Sequence, residues 1–206
     1  ENARIIIAGA GRVGGLIDRL LRAAGHHSTV IDYNARRLEI MQKFGVKNYY
    51  GDATRPDLLA AAGIADADVL IVAIDDRDSI TQIVEYAHKT YPDLHLIARA
   101  VDRDHVYDLW YHGCRDIIRE TYDSTLRMGR SAFQALGLSQ EDAQAMVDTF
   151  NAHDRKAMVA VAAVHKVGVA AHENDEYIAK VAELRAEMES TLAPEMEAIR
   201  NRKRPA

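Results

Sequence analysis

Short runs of β-branched and aliphatic residues alternate along the first half of the chain with longer stretches in which apolar side chains recur every three to four positions. Arg4–Gly9 (RIIIAG) reads as a strand, and Arg12–Ala24 as a helix whose apolar stripe is Val13, Leu16, Ile17, Leu20 and Leu21, stopped by Gly25. Ser28–Asp32 and Ala35–Phe44 repeat the pair, closed by Gly45. The same alternation predicts strands at Val46–Tyr50, Val69–Ile74 and His95–Ala100, with helices at Pro56–Ala62, Ser79–Tyr91 and Arg103–Tyr111. A weak sixth strand falls within Gly113–Ile118. Strict alternation of this kind predicts an α/β fold with a doubly wound parallel sheet. The strands are nearly all apolar, as strands covered by helices on both faces must be.

Past Arg119 the strand signal stops. Thr121–Leu136, Glu141 to about Lys166, and Asp175–Arg204 read as successive helices, with Ser139-Gln140-Glu141-Asp142 spaced as a capping box after Gly137. We therefore expect a sheet domain over residues 1–118 and a helical C-terminal extension over 119–206. The basic tail (Arg200, Arg202, Lys203, Arg204) reads as a solvated helix end favoured by the macrodipole.

Composition narrows the function classes. Of 206 residues 48% are hydrophobic and 6% aromatic, enough for an aliphatic globular core. A formal net charge of -5 argues against a nucleic-acid partner, which calls for clustered basic surface. The lone cysteine, Cys114, cannot form an intramolecular disulfide and fits a reducing cytosol. No apolar run is long enough to span a membrane, so this stretch is expected to be soluble. With neither a start methionine nor a signal peptide at Glu1, we expect a fragment of a longer protein.

Gly9-Ala10-Gly11-Arg12-Val13-Gly14 matches G-x-G-x-x-G, follows a predicted strand and opens a predicted helix. Gly9 would make the tight turn, Gly11 would admit a pyrophosphate, and Gly14 would let helix pack on strand, which makes the sheet Rossmann-type. The phosphate would sit on the helix N-terminus, against the backbone of Arg12 and Val13. Asp32 ends the second strand, where an acidic residue binds adenosine ribose hydroxyls and disfavours a 2′-phosphate, so NADP is expected to be rejected. Asp52, Ala53 and Thr54 follow the third strand and Asp75 and Asp76 the fourth, all at the carboxyl edge where ligands bind. Thr54 could equally cap the next helix. Arg99 is a further candidate for phosphate contact. No catalytic pair stands out, and no metal site: the His105/His112 and His165/His172 pairs, seven apart, read as surface histidines.

Several segments together resemble a known family: IIIAGAGRVGG (Ile5–Gly15), KFGVKNYYGDATRPDLLAAAG (Lys43–Gly63), LIVAIDD (Leu70–Asp76), LIARAVDRDH (Leu96–His105) and RETYDSTLRMGRSAFQALGL (Arg119–Leu138). They are similar to the regulatory (RCK, or KTN) domains of potassium transport systems, and specifically to the cytosolic domain of glutathione-gated Kef potassium/proton antiporters. The resemblance runs to about Lys166. It implies a non-enzymatic, ligand-sensing homodimer with AMP or NAD(H) in the Rossmann site and glutathione near the subunit interface. It further implies a membrane antiporter domain in the same full-length chain, a place at the cytoplasmic face of the inner membrane, and a soluble ancillary subunit as a further candidate partner. The residues resembling the glutathione site are Arg19 and Arg119, with Phe44 as the aromatic displaced by a bulky S-substituent. Arg19 also reads as a solvated helix arginine and Phe44 as a core residue. Where the family has an asparagine against glutathione, this chain has Asp154, an added carboxylate beside an acidic tripeptide unless His153 or Arg155 compensates. The alternatives are a standalone RCK subunit of a potassium uptake system and a small NAD-dependent oxidoreductase.

Overall fold

The computed structural model describes residues 4–202. Six parallel strands, β1 (Ile5–Ala8), β2 (Ser28–Asp32), β3 (Lys47–Tyr50), β4 (Val69–Val72), β5 (His95–Ala100) and β6 (Asp116–Arg119), lie in the order β3-β2-β1-β4-β5-β6. Helices α1 (Arg12–Ala23), α2 (Ala35–Lys43), α3 (Pro56–Ala62), α4 (Arg77–Thr90) and α5 (Arg103–Tyr111) connect them, with a 3-10 turn at Ile64–Asp66. The doubly wound sheet expected from the alternation is therefore present, and its weak sixth strand forms at Asp116–Arg119.

Side chains alternate across the sheet and feed two cores. Ile6, Ala8, Ile31, Leu70, Val72, Leu96 and Ala98 face one layer with Leu59, Ile80, Ile83, Val84 and Leu109. Ile7, Val30, Ile71 and Ala73 face the other with Leu38, and α1 contributes Val13, Ile17 and Leu21. The chain reverses its winding between β1 and β4, which opens a crevice at the carboxyl ends of those strands.

Two compact units divide between Glu120 and Thr121. The Glu120 N–H donates to the Ala100 carbonyl at 2.8 Å, so Arg119 and Glu120 belong with the sheet rather than beyond a division at 118/119. Thr121 has φ of 64°, a left-handed backbone that no other non-glycine residue adopts among those described.

The second unit contains α6 (Tyr122–Ala135), α7 (Gln140–Ala162), α8 (Asp175–Glu187) and α9 (Ala193–Arg200). Ser139 caps α7 as its spacing predicts, accepting the Asp142 N–H at 3.0 Å while its hydroxyl donates to the Asp142 carboxylate at 2.7 Å. α7 buries Ala143, Met146, Val147, Ala157 and Val161, and packs on the other helices of the unit. The single helix expected over Asp175–Arg204 is interrupted by a π-helical turn at Met188–Leu192. Pro194 supplies the reason: it has no N–H for the carbonyl one turn back, so the regular ladder cannot run through it. Of the basic tail, Lys203 and Arg204 lie outside the described residues; Arg200 pairs with Glu197 at 3.2 Å.

Candidate functional site

The turn after β1 has the geometry its glycines demand. Gly9 has φ of +100°, and a Cβ there would meet the Ala73 backbone at 3.0 Å. A Cβ on Gly14 would stand 1.8 Å from the Gly9 carbonyl oxygen, so only glycine lets α1 start this close to the strand. α1 begins without a side-chain cap and without an acidic residue in its first turn, leaving its leading N–H groups open to an anion beside Gly11, Arg12 and Val13.

Beside this turn lies a cavity of about 150 Å³ lined by Gly9, Ile31, Asp32, Tyr33, Gly51, Asp52, Ala53, Ile74, Asp75, Asp76 and Ser79. It joins the carboxyl ends of β1 to β4. Of the residues expected from the sequence, Gly9, Asp32, Asp52, Ala53, Asp75 and Asp76 line it, and Gly11, Arg12, Val13 and Gly14 form the adjoining loop and helix start. Thr54 and Arg99 are not in its wall. Tyr33, exposed at its mouth, was not singled out in the sequence; its signal is the position directly after the strand-end aspartate.

Each carboxylate around the cavity is engaged. Asp32, buried, accepts the Ala10 N–H at 2.6 Å and the Asn34 N–H at 2.7 Å, with the Arg37 guanidinium 3.3 Å away. Asp52 accepts the Thr54 N–H at 2.9 Å. This corrects the reading of Thr54 as a helix cap: α3 starts one residue later, on Arg55 and Pro56, and Asp52 holds the turn. Asp76 caps α4, accepting the N–H and the hydroxyl of Ser79, and those bonds hold its carboxyl below the ordinary aspartate range. Asp75 accepts from Arg99 at 2.5 Å.

Arg99 is almost fully buried and also pairs with Glu120. Burial opposes its charge, but hydrogen bonds to Asp75 and Glu120 outweigh that, and its pKa lies above the ordinary arginine value. The guanidinium expected to contact phosphate thus pairs with two carboxylates.

The residues resembling a glutathione site are spread out. Arg19 is exposed on α1, and Phe44 is 73% exposed at the end of α2, which excludes a core role for it. Arg22, one turn after Arg19, donates to the Phe44 carbonyl at 2.8 Å, tying that end of α2 to α1. Arg119 ends β6, three strands from β1 in the sheet order, about 14 Å at ordinary strand spacing. Asp154 lies half-buried on α7 in the second unit.

His105, expected at the surface, is fully buried: it lies on the inward face of α5, between Thr81 and the Val101 N–H. No group of three histidine, cysteine or acidic side chains suited to a metal occurs among the described residues.

The TrkA-N domain profile matches residues 5–120, and that of the potassium efflux system KefB C-terminal domain matches residues 124–206. The chain is 42% identical over 156 residues to the glutathione-regulated potassium-efflux system protein KefC of Cronobacter sakazakii, covering 76% of this chain and 25% of that one. It is 45% identical over 150 residues to the KefC of Salmonella arizonae, covering 73% and 24%. This chain therefore spans about a quarter of the length of these curated relatives. Among solved structures, the Shewanella denitrificans Kef CTD in AMP-bound form is 41% identical, with a TM-score of 0.73 over 79% of this chain and 99% of that one. The TrkA-N domain of the Escherichia coli inner membrane protein ybaL is 26% identical, with a TM-score of 0.59 over 62% and 95%.

Proposed function

Because this chain belongs to the TrkA-N family and, within it, to the Kef C-terminal domains, we propose that it is a ligand-sensing regulatory domain, not an enzyme, that gates a glutathione-regulated potassium/proton antiporter. The observation that carries this reading is the cavity at the sheet's switch point, which Gly9, Asp32 and Tyr33 line beside the uncapped start of α1. An adenine nucleotide, AMP or NAD(H), places phosphate on the open N–H groups, a ribose hydroxyl on the remaining acceptor capacity of Asp32, and its base against Tyr33.

Glutathione is held by Arg19 and Arg119, whose guanidinium groups suit the two carboxylates of the tripeptide. Their separation across the sheet supports a site completed by a second copy of the chain. α6 supports the same homodimer, since it buries none of its residues and exposes Met128 at 73%, with Leu136 beyond its end at 79%. A membrane antiporter domain at the cytoplasmic face of the membrane is the element gated, and a soluble ancillary subunit is a further partner. S-substituted glutathione differs from glutathione only beyond the sulfur, so Phe44 is the side chain through which an adduct shifts the equilibrium.

Calorimetry tests both sites. AMP binds; glutathione binds; Arg119→Ala weakens glutathione by more than about tenfold and leaves AMP unchanged, as expected for one lost charge-assisted contact. Asp154→Asn strengthens glutathione. Absence of glutathione binding in both the wild type and Asp154→Asn overturns the glutathione part, and absence of AMP and NADH binding overturns the nucleotide part.

A further inference from the structure

We propose that the ribose end of this cavity accepts an adenine nucleotide phosphorylated on its 2′-hydroxyl, and that Arg37 reads that phosphate. The inference rests on the nucleotide site proposed above and reverses the rejection of NADP-type ligands that Asp32 suggests in the sequence.

A bare aspartate at the end of β2 repels a 2′-phosphate. Asp32 is not bare. It is 6% exposed and takes two backbone N–H groups, from Ala10 and Asn34, while Arg37 stands 3.3 Å from its Oδ2 and offsets its charge. Arg37 is itself under-used. Its side chain is 43% exposed, its ion pair with Asp32 engages one nitrogen, and a guanidinium has five N–H donors. It stands over the glycine loop as well, since a Cβ on Gly11 would lie 4.0 Å from its Nη1. A cation with open donors therefore sits where the ribose of a bound adenosine meets Asp32.

The first turn of α2 carries the same message. Asn34 caps it, accepting the Arg37 N–H at 3.0 Å, which fixes where the Arg37 side chain departs. That turn holds Arg36 and Arg37 and no acidic residue. Cations at a helix N-terminus oppose the macrodipole; the Asp32 carboxylate already offsets Arg37 in part, and a further anion there is favoured by the dipole and by both arginines. In such folds an acid at this place binds the ribose 2′-hydroxyl and a nearby arginine accommodates a 2′-phosphate; this chain carries both, with Arg37 against Asp32. Two other roles are open to Arg37: binding the 5′-phosphate at Gly11, or only locking Asp32. Neither distinguishes nucleotides by their 2′ position.

The test is calorimetry on this chain with AMP, adenosine 2′,5′-bisphosphate and adenosine 3′,5′-bisphosphate, for the wild type and Arg37→Ala. The wild type is expected to bind the 2′,5′-bisphosphate at least about as tightly as AMP and more tightly than the 3′,5′ isomer. Arg37→Ala is expected to weaken the 2′,5′-bisphosphate by more than about tenfold and AMP by less than about threefold. Wild-type rejection of the 2′,5′-bisphosphate with AMP still bound overturns this inference alone. Equal loss of both ligands in Arg37→Ala assigns the arginine to the 5′-phosphate or to Asp32 and also overturns it. Failure of the wild type to bind any of the three removes the nucleotide site itself.

Discussion

The carboxylate of Asp32 accepts the backbone N–H of Ala10 at 2.6 Å, so the end of β2 holds the glycine turn that follows β1. The same carboxylate takes the Asn34 N–H, and so three segments, the turn, the strand end and the start of α2, meet on one buried charge. Asp32→Asn keeps the shape but replaces one acceptor with a donor facing another donor. We expect a loss of about 1–3 kcal/mol of stability, read as a fall in melting temperature of roughly 2–4 °C per kcal/mol for a chain of this size. AMP affinity falls with it, by about tenfold. An unchanged melting temperature would show that these bonds do not hold the turn.

Gly14→Ala introduces a Cβ that would lie 1.8 Å from a backbone oxygen, which no rotamer change relieves. The start of α1 must move away from β1, at a cost above about 3 kcal/mol, among the largest single-residue effects. Thermal denaturation and AMP titration both read it. Wild-type values for this variant would disprove the close packing.

His105 makes folding stability depend on pH. Its Nδ1 accepts the Val101 N–H at 3.2 Å, and Nε2 donates to Thr81 Oγ1 at 3.0 Å, which fixes a neutral ring. Burial, and then the charge of Arg77, lower its pKa below the ordinary 6.5, against the opposing carboxylates of Asp102, Asp108 and Asp78. The unfolded chain therefore takes up this proton first as pH falls. The stability is fully present above about pH 6.5 and drains away as pH falls from there toward the lower folded pKa. Melting temperatures between about pH 7.5 and 5.5 should drop more steeply for the wild type than for His105→Gln. Parallel slopes would remove His105 from the account.

Cys114 is fully buried, and burial pushes its thiol up to about 11. Little thiolate exists at neutral pH and no reagent reaches it, so iodoacetamide should modify the native chain at least about 100-fold more slowly than the chain in urea. Rapid native alkylation would contradict the packing of β6 on α5.

The proposed homodimer has its own check just past the end of α6. Leu136→Glu places a charge where the side chain is already 79% exposed, so the monomer should lose no more than about 0.5 kcal/mol. Dimer affinity should nevertheless collapse in sedimentation equilibrium. A stable wild-type monomer at micromolar concentration would dispose of the dimer outright.

Much of the sheet was legible in the residue order because its causes are local. β-branched runs between glycine-ended amphipathic stretches specify strands and helices within a few residues, and the glycines of the first turn are demanded by backbone sterics at their own positions. Hence Ser28–Asp32, Pro56–Ala62, His95–Ala100 and Arg103–Tyr111 form with the bounds expected, and Gly9 to Gly14 open α1. Local signals failed where a distant partner decided the outcome. His105 reads as one of a surface pair but the fold encloses it beside Thr81, and the pairing of Arg99 with Asp75 and Glu120 is not visible along the chain. Phe44 reads as a core residue but stands in solvent at the C-cap of α2. Asp32 could be placed at a strand end from sequence, yet its burial and its bond from Ala10 could not, since the parallel pairing of β1 with β2 brings the glycine turn to it. Periodicity is set by the geometry of neighbouring bonds and can be read along the chain, whereas the charge and exposure of a side chain are set by whatever the sheet order packs against it, and that exists only once the chain has folded.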